Sequence, residues 1–126
     1  MKGDRRRGRQ AAALGKLGEE AACRHLESLG LRIIERNYRC RLGEIDIIAA
    51  DGEIVCFVEV KARRTRAYGG GLEAVEGKKQ AQLRRAATYF LSRFGDRLPR
   101  CRFDVAEVHL CPEGRPESVR LVRNAF

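Results

Sequence analysis

Asp46, Glu59 and Lys61 are the residues whose types and spacing could do chemistry in this chain. Two carboxylates brought close together can share a divalent cation, and a lysine beside them can meet an anion held at the same place. Whether they meet depends on a hairpin. Gly43-Ala50 (GEIDIIAA) and Glu53-Ala62 (EIVCFVEVKA) read as strands, joined by Asp51-Gly52 as a two-residue turn. With that loop, Ala50 pairs with Glu53 and Asp46 stands opposite Phe57. Opposed residues share a sheet face, as do residues two apart, so Asp46, Phe57, Glu59 and Lys61 project together. Asp46 and Glu59 become diagonal neighbours with Cβ atoms roughly 7 Å apart, a gap that a divalent ion can fill. Ile45, Ile47, Val58 and Val60 then point to the other face as core. Glu44 shares the Asp46 face, with a capping or surface role as its default.

A plainer alternative stands beside this. Glu-x-Lys in a strand is commonly a solvated face, and carboxylates near a lysine often make only a weak surface ion pair. A bulge or an odd loop length would send Asp46 to the opposite face. Glu59 and Lys61, however, close the most hydrophobic strand of the chain, where a purely solvated edge is less expected.

The elements that must position these residues can be read from the same patterns. Leu14, Leu17, Gly18, Ala21, Ala22 and Leu29 follow helical spacing from about Gln10 to Leu29, and Gly30 supplies the stop. Leu31-Arg39 reads as a first strand. After the two strands of the hairpin comes a basic, Gly-rich loop, Arg63-Gly71. A second helix, from about Leu72 to Phe94, carries Val75, Leu83, Ala86, Ala87, Phe90, Leu91 and Phe94 on one face. Arg102-Leu110 and Glu117-Val122 close the chain as strands. The expectation is α/β: a mixed sheet flanked by helices in the order α-β-β-β-α-β-β. Residues 1–9 (MKGDRRRGR) read as a mobile basic arm, and 10–126 as one domain.

Composition narrows the partners. A net charge of +9, clustered in Lys2-Arg9, Lys61-Arg66 and Lys78-Arg85, suits a polyanion, because neutralised phosphates release counterions. No apolar run is long enough for a membrane span, the stretch after the basic N-terminus is too short for a secretory signal, and the expected location is the cytoplasm. The five cysteines are widely spaced without a C-x-x-C, which argues against a disulfide framework or a zinc ribbon; Cys56 reads as core. The sparse aromatic residues form no row on which bases could stack.

Glu59-Val60-Lys61 at a strand end, with Asp46 on the partner strand and a glutamate in the preceding helix, resembles the PD-(D/E)xK nuclease superfamily, which includes archaeal Holliday-junction resolvases. More narrowly the chain resembles the YraN family of bacterial proteins. The matching stretches include Gly15-Lys16-Leu17-Gly18-Glu19, Arg36-Asn37-Tyr38-Arg39, Gly43-Glu44-Ile45-Asp46-Ile47-Ile48 and Phe57-Val58-Glu59-Val60-Lys61-Ala62-Arg63. Arg102-Phe103-Asp104-Val105 and Asn124-Ala125-Phe126 continue the match, which spans nearly everything after the basic arm. The resemblance implies a restriction-endonuclease-like fold and a Mg²⁺- or Mn²⁺-dependent endonuclease cutting phosphodiester bonds. Asp46 and Glu59 would be metal ligands, with the Val60 carbonyl completing the shell. Lys61 would orient or deprotonate the attacking water, or offset transition-state charge. Glu19 would be an outer or bridging carboxylate, although Glu20 is adjacent. Arg63, Arg64, Arg66, Lys79 and Gln80 would meet nucleic acid, with DNA expected over RNA. Resolvase-like relatives act in pairs, which makes a homodimer one option. The alternative is a non-catalytic nucleic-acid-binding module that keeps the nuclease fold.

Overall fold

The computed structural model describes the backbone of residues 2–64 and 75–126, with side chains from residue 13 onward in those ranges. The elements are α1 (Lys2–Ser28), β1 (Arg32–Cys40), β2 (Gly43–Asp51), β3 (Ile54–Arg64), α2 (Gly77–Leu91), a 3-10 turn (Ser92–Phe94), β4 (Cys101–Leu110) and β5 (Pro116–Val122). This is the expected α/β order. The sheet runs β1-β2-β3-β4-β5, and all neighbours are antiparallel except β3 and β4, which are parallel. The parallel pair needs a crossover, and α2 lies in it.

Helix α1 begins before the expected Gln10, at Lys2. The basic arm expected at 1–9 lies outside the residues whose side chains are described. At the other end Gly30, with φ +92°, closes α1 as anticipated. Leu31 N–H donates to the Leu26 carbonyl and Gly30 N–H to that of Glu27, the paired bonds of a Schellman stop. Helix α2 begins at Gly77, later than the expected Leu72. Val75 is buried but precedes the helix, where the Gln80 amide donates to its carbonyl (3.0 Å). No described helix is long and apolar enough to cross a membrane.

The two faces of the sheet carry separate cores. Ala22 and Leu26 of α1 pack on Ile47, Ala49, Cys56, Val58, Ala106 and Val108. Leu83, Ala86 and Phe90 of α2 pack on Tyr38, Ile45, Ile48, Val55 and Phe57. Phe90 meets Tyr38 and Phe57 edge-on, with ring centroids 5.4 and 5.9 Å away. Such geometry adds roughly 0.5–1.5 kcal/mol per pair beyond area burial. Ile45 was expected in the α1-side core with Ile47 and Val58, but packs in the α2-side cluster. Its partner on β1 is Tyr38, and the residue before Tyr38, Asn37, has φ +53°. A left-handed residue inside a strand breaks the regular alternation there.

One contact sets the height of α1 over the sheet. A Cβ on Gly18 would lie 2.6 Å from the Ala62 Cβ, so glycine and alanine together let α1 approach β3 closely. The next residue along α1 is Glu19.

Candidate metal centre

The hairpin register differs from the sequence reading by two residues. Asp51 pairs with Ile54, Ala50 with Val55, Ile48 with Phe57 and Ile47 with Val58. The loop is therefore Gly52-Glu53, not Asp51-Gly52, and Gly52 takes φ +60° at the first central position. Glycine there is the signature of a type II′ turn, which competes with the Asp-Gly type I′ turn on equal terms. Because the slip is even, side-chain facing is preserved over the paired residues Ile47 to Asp51. Continued by one step, the register sets Asp46 level with Glu59 rather than diagonal to it.

The ladder stops one step short of that level. Its last pair is Ile47 with Val58, although both strands run on, to Gly43 and to Arg64. Where main-chain pairing ends, the Asp46 side chain fills in: Val60 N–H donates to Asp46 Oδ2 at 2.8 Å. Asp46 is thereby fixed between the parting strands.

Around this point lies a cleft of about 390 Å³ lined by Leu14, Gly15 and Glu19 of α1, Glu44 and Asp46 of β2, Glu59 to Ala62 of β3, and Lys79 of α2. The expected residues Asp46, Glu59, Val60, Lys61 and Glu19 thus come together, and Lys79 joins them from the opposite helix. Glu59 is 8% exposed. Its Oε1 is 4.0 Å from Lys79 Nζ, and its Oε2 is buried with no hydrogen-bond partner among the described residues. Burial first, and then the nearby Asp46 charge, push the Glu59 carboxyl up to about 7, against the opposing pull of Lys79 and Lys61. Asp46 is also raised, chiefly by burial, with the Val60 N–H acting the other way. Glu19 is raised by burial and by Asp46, while a hydrogen-bonding contact from Asn37 opposes the rise. Each effect has the sign expected when carboxylates are gathered without enough positive charge.

Glu19 and Glu20 are separated by this geometry. Glu19 lines the central cleft, whereas Glu20 lines only an adjoining one with Lys16, Arg36, Asn37 and Arg39. Glu44 reaches the rim and pairs with Arg39 at 3.3 Å, both exposed. Gln80 does not line the cleft, because its amide is directed to Val75. Arg63 is half-buried and Arg64 exposed at the end of β3, while Arg66 lies outside the described residues. Among the described residues no three His, Cys, Asp or Glu side chains converge on one ion position. A cation here would rest on Asp46 and Glu59, with backbone, water or substrate oxygens for the remainder.

The residue that the sequence reading passed over as a site residue is Asn37. It belongs to the quoted Arg36-Asn37-Tyr38-Arg39 stretch, and the one signal it offers is asparagine's tolerance of left-handed backbone.

The family model for the uncharacterised protein family UPF0102 matches residues 18–108, which include Glu19, Asp46, Glu59 and Lys61. The chain is 52% identical over 113 residues to a UPF0102 protein of Symbiobacterium thermophilum, covering 90% of this chain and 95% of that one. It is 45% identical over 113 residues to one from Pelotomaculum thermopropionicum, with 90% and 94% covered. A third similar protein, from Moorella thermoacetica, is 46% identical over 112 residues, with 89% and 93% covered. With the match running through both carboxylate strands and the helix that carries Glu19, the chain belongs to the UPF0102 family.

Proposed function

We propose that the protein is a Mg²⁺- or Mn²⁺-dependent endonuclease that hydrolyses phosphodiester bonds in nucleic acid, DNA before RNA, with Asp46 and Glu59 as its metal ligands. The observation that carries this reading is the Glu59 carboxylate. It is buried, and among the described residues one oxygen has no partner and the nearest ion pair, with Lys79, stands 4.0 Å from the other. An unsatisfied buried carboxylate costs several kcal/mol unless something supplies positive charge or a proton. The donor set is entirely oxygen, which suits hard cations that keep several waters, not zinc.

The roles follow from position. Asp46 is held by Val60 N–H through Oδ2, which leaves Oδ1 for a cation. In an extended strand the N–H and C=O of one residue point to the same edge. The Val60 carbonyl therefore faces the gap that β2 has left, beside Asp46, where it can be the third protein ligand. Lys61 lines the cleft beside Glu59, placed to orient a water or to offset negative charge on a phosphoryl group. A bound divalent ion would polarise the scissile phosphate and acidify a water. Glu19 stands across the cleft as an outer carboxylate. Arg63 and Arg64 continue β3 away from Lys61 and can follow a phosphate backbone. The combination of fold order, carboxylate pair and lysine is what favours the restriction-endonuclease-like reading.

The test is a cleavage panel of branched, duplex and single-stranded DNA and RNA with Mn²⁺, run beside Glu59→Ala and Lys61→Ala. Cutting by the wild type that both substitutions abolish supports the reading. No cutting of any substrate, with unchanged metal and nucleic-acid binding in Asp46→Ala, defeats it.

A second reading has one observation in its favour. Lys79 approaches Glu59 from α2 and could stand in for a cation. The chain would then be a non-catalytic nucleic-acid-binding module, and calorimetry would find no Mg²⁺ or Mn²⁺ binding at millimolar concentration.

A further inference from the structure

Beside the carboxylate centre lies a second, larger cleft of about 690 Å³, and the two share Gly15, Glu19, Glu44 and Asp46 as their common wall. The outer wall is basic: Lys16 comes from α1, and Arg36 and Arg39 from β1, all three exposed. In a regular strand, residues three apart face opposite sides, so Arg36 and Arg39 should part. They do not, and the two cores show why. Arg36 pairs with Ile47, which packs under α1, so Arg36 stands on the α1 face. Tyr38, two residues on, packs under α2 instead. Asn37 between them, with φ +53°, reverses the alternation, and Arg39 returns to the α1 face beside Arg36. Arg39 meets Glu44 at 3.3 Å between exposed side chains, a pairing worth little in water. Among the described residues Lys16 and Arg36 form no ion pair. Glu20 is the one carboxylate of this cleft that is not on the wall shared with the metal centre, where a divalent ion would offset the others. No aromatic side chain lines the cleft, so it offers bases nothing to stack on.

We propose that this cleft seats the sugar-phosphate backbone of the substrate strand on one side of the bond to be cut, with phosphates on Lys16, Arg36 and Arg39. The proposal rests on the nuclease reading and deepens it. In the sheet, β2 with Asp46 lies between β1 and β3. Arg63 and Arg64 leave the centre along β3, and the three cations of the cleft hold its β1 side. A strand that crosses the centre is therefore gripped on both flanks, which suits cutting within a chain and not at its end. Contacts of this kind fix the register of the backbone and carry no sequence information.

The experiment measures binding of duplex and single-stranded DNA by fluorescence anisotropy over a salt series, in EDTA and again with Ca²⁺. It compares full-length wild type, Lys16→Gln with Arg36→Gln, and Arg24→Gln with Arg32→Gln. The last pair removes the same charge from the same two elements, at exposed residues that line neither cleft. In the cleft variant the slope of log affinity on log salt should fall by up to about 1.8 for duplex and about 1.4 for a single strand, at roughly 0.9 and 0.7 per phosphate. The other pair should leave the slope near that of the wild type. All four substituted residues are exposed, so both unfolding midpoints should match the wild type. Should the cleft variant unfold, Lys16→Gln with Arg39→Gln makes the same test. A wild-type slope in the cleft variant, or equal losses in the two variants, overturns the proposal while leaving the nuclease reading standing. A reduced slope in the cleft variant of a protein that cuts nothing with Mn²⁺ upholds the cleft as a backbone seat and removes the nuclease reading. A wild type that binds no DNA at low salt under either condition overturns both.

Discussion

Two buried acidic centres in this fold are built on opposite principles. Asp104 on β4 is fully buried, and its carboxylate is surrounded. Arg102 Nε donates to Oδ1 and Oδ2 at 3.1 and 2.9 Å, and Asn124 N–H donates to Oδ1 at 3.0 Å. Arg102 continues to Asp51 at 2.9 Å, and only its Nη2 is left over. The centre ties the last turn of the chain and the β2–β3 hairpin to β4. Glu59 is nearly as deeply buried, yet among the described residues it has one lysine 4.0 Å from one oxygen and nothing on the other. Buried charge that serves folding is normally paired on the spot. Buried charge left short of partners is what a site for an external cation requires.

The largest expected effect separates the two centres directly. Asp104→Ala leaves Arg102 buried without its main partner, a change that costs about 3–5 kcal/mol. Denaturant unfolding would show it, and a loss below 1 kcal/mol would mean that the network is ornamental. At the other centre the sign reverses. Glu59→Gln removes a carboxylate that burial and Asp46 both oppose, so the metal-free protein at pH 8 should gain roughly 1–3 kcal/mol. Destabilisation in that variant would show that Glu59 is structurally paired after all.

The pH dependence is a subtler form of the same contrast. The Glu59 carboxyl is raised from 4.5 to about 7 in the fold. The folded state therefore holds this proton more tightly than the unfolded chain. The resulting stabilisation is fully present below the unfolded value and is lost as pH rises through about 7. Metal-free wild type should melt at progressively lower temperature between these limits, and Glu59→Gln should flatten the trend. Mn²⁺ should raise the melting temperature more at pH 8 than at pH 5.5, because the carboxylate it needs is then ionised. An equal gain at both pH values would separate metal binding from Glu59. The smallest effect on stability belongs to the end of β3, where Arg63 is half-buried and Arg64 exposed. Arg63→Gln with Arg64→Gln should lower the salt slope of duplex binding by up to about 1.8, at roughly 0.9 per phosphate contact, and leave the unfolding midpoint unchanged.

Much of this arrangement was legible in the sequence, and the reasons differ from residue to residue. Alternation in Gly43–Asp51 and Ile54–Arg64 was enough to gather Asp46, Glu59 and Lys61 around one cleft even though the turn was misplaced. Asp51-Gly52 and Gly52-Glu53 are both good two-residue loops, and moving between them shifts the register by an even number. Pattern alone could not choose between them. The start of α2 was read too early because Val75 is apolar at helical spacing, whereas it is buried from an extended lead-in held by Gln80. Ile45 was put in the wrong core because nothing in the pattern announces that Asn37 breaks the alternation of β1. Glu19 could be chosen over Glu20 only by resemblance, and the geometry supplies the reason: Gly18 on Ala62 lowers α1 until the next residue overlooks Asp46.

Calorimetric titration of Mn²⁺ into the wild type and Glu59→Gln, at pH 8, tests the central claim most directly. The wild type should bind Mn²⁺ saturably, and the variant should lose that binding. Equal binding by both proteins, or no binding by the wild type at millimolar Mn²⁺, would contradict it.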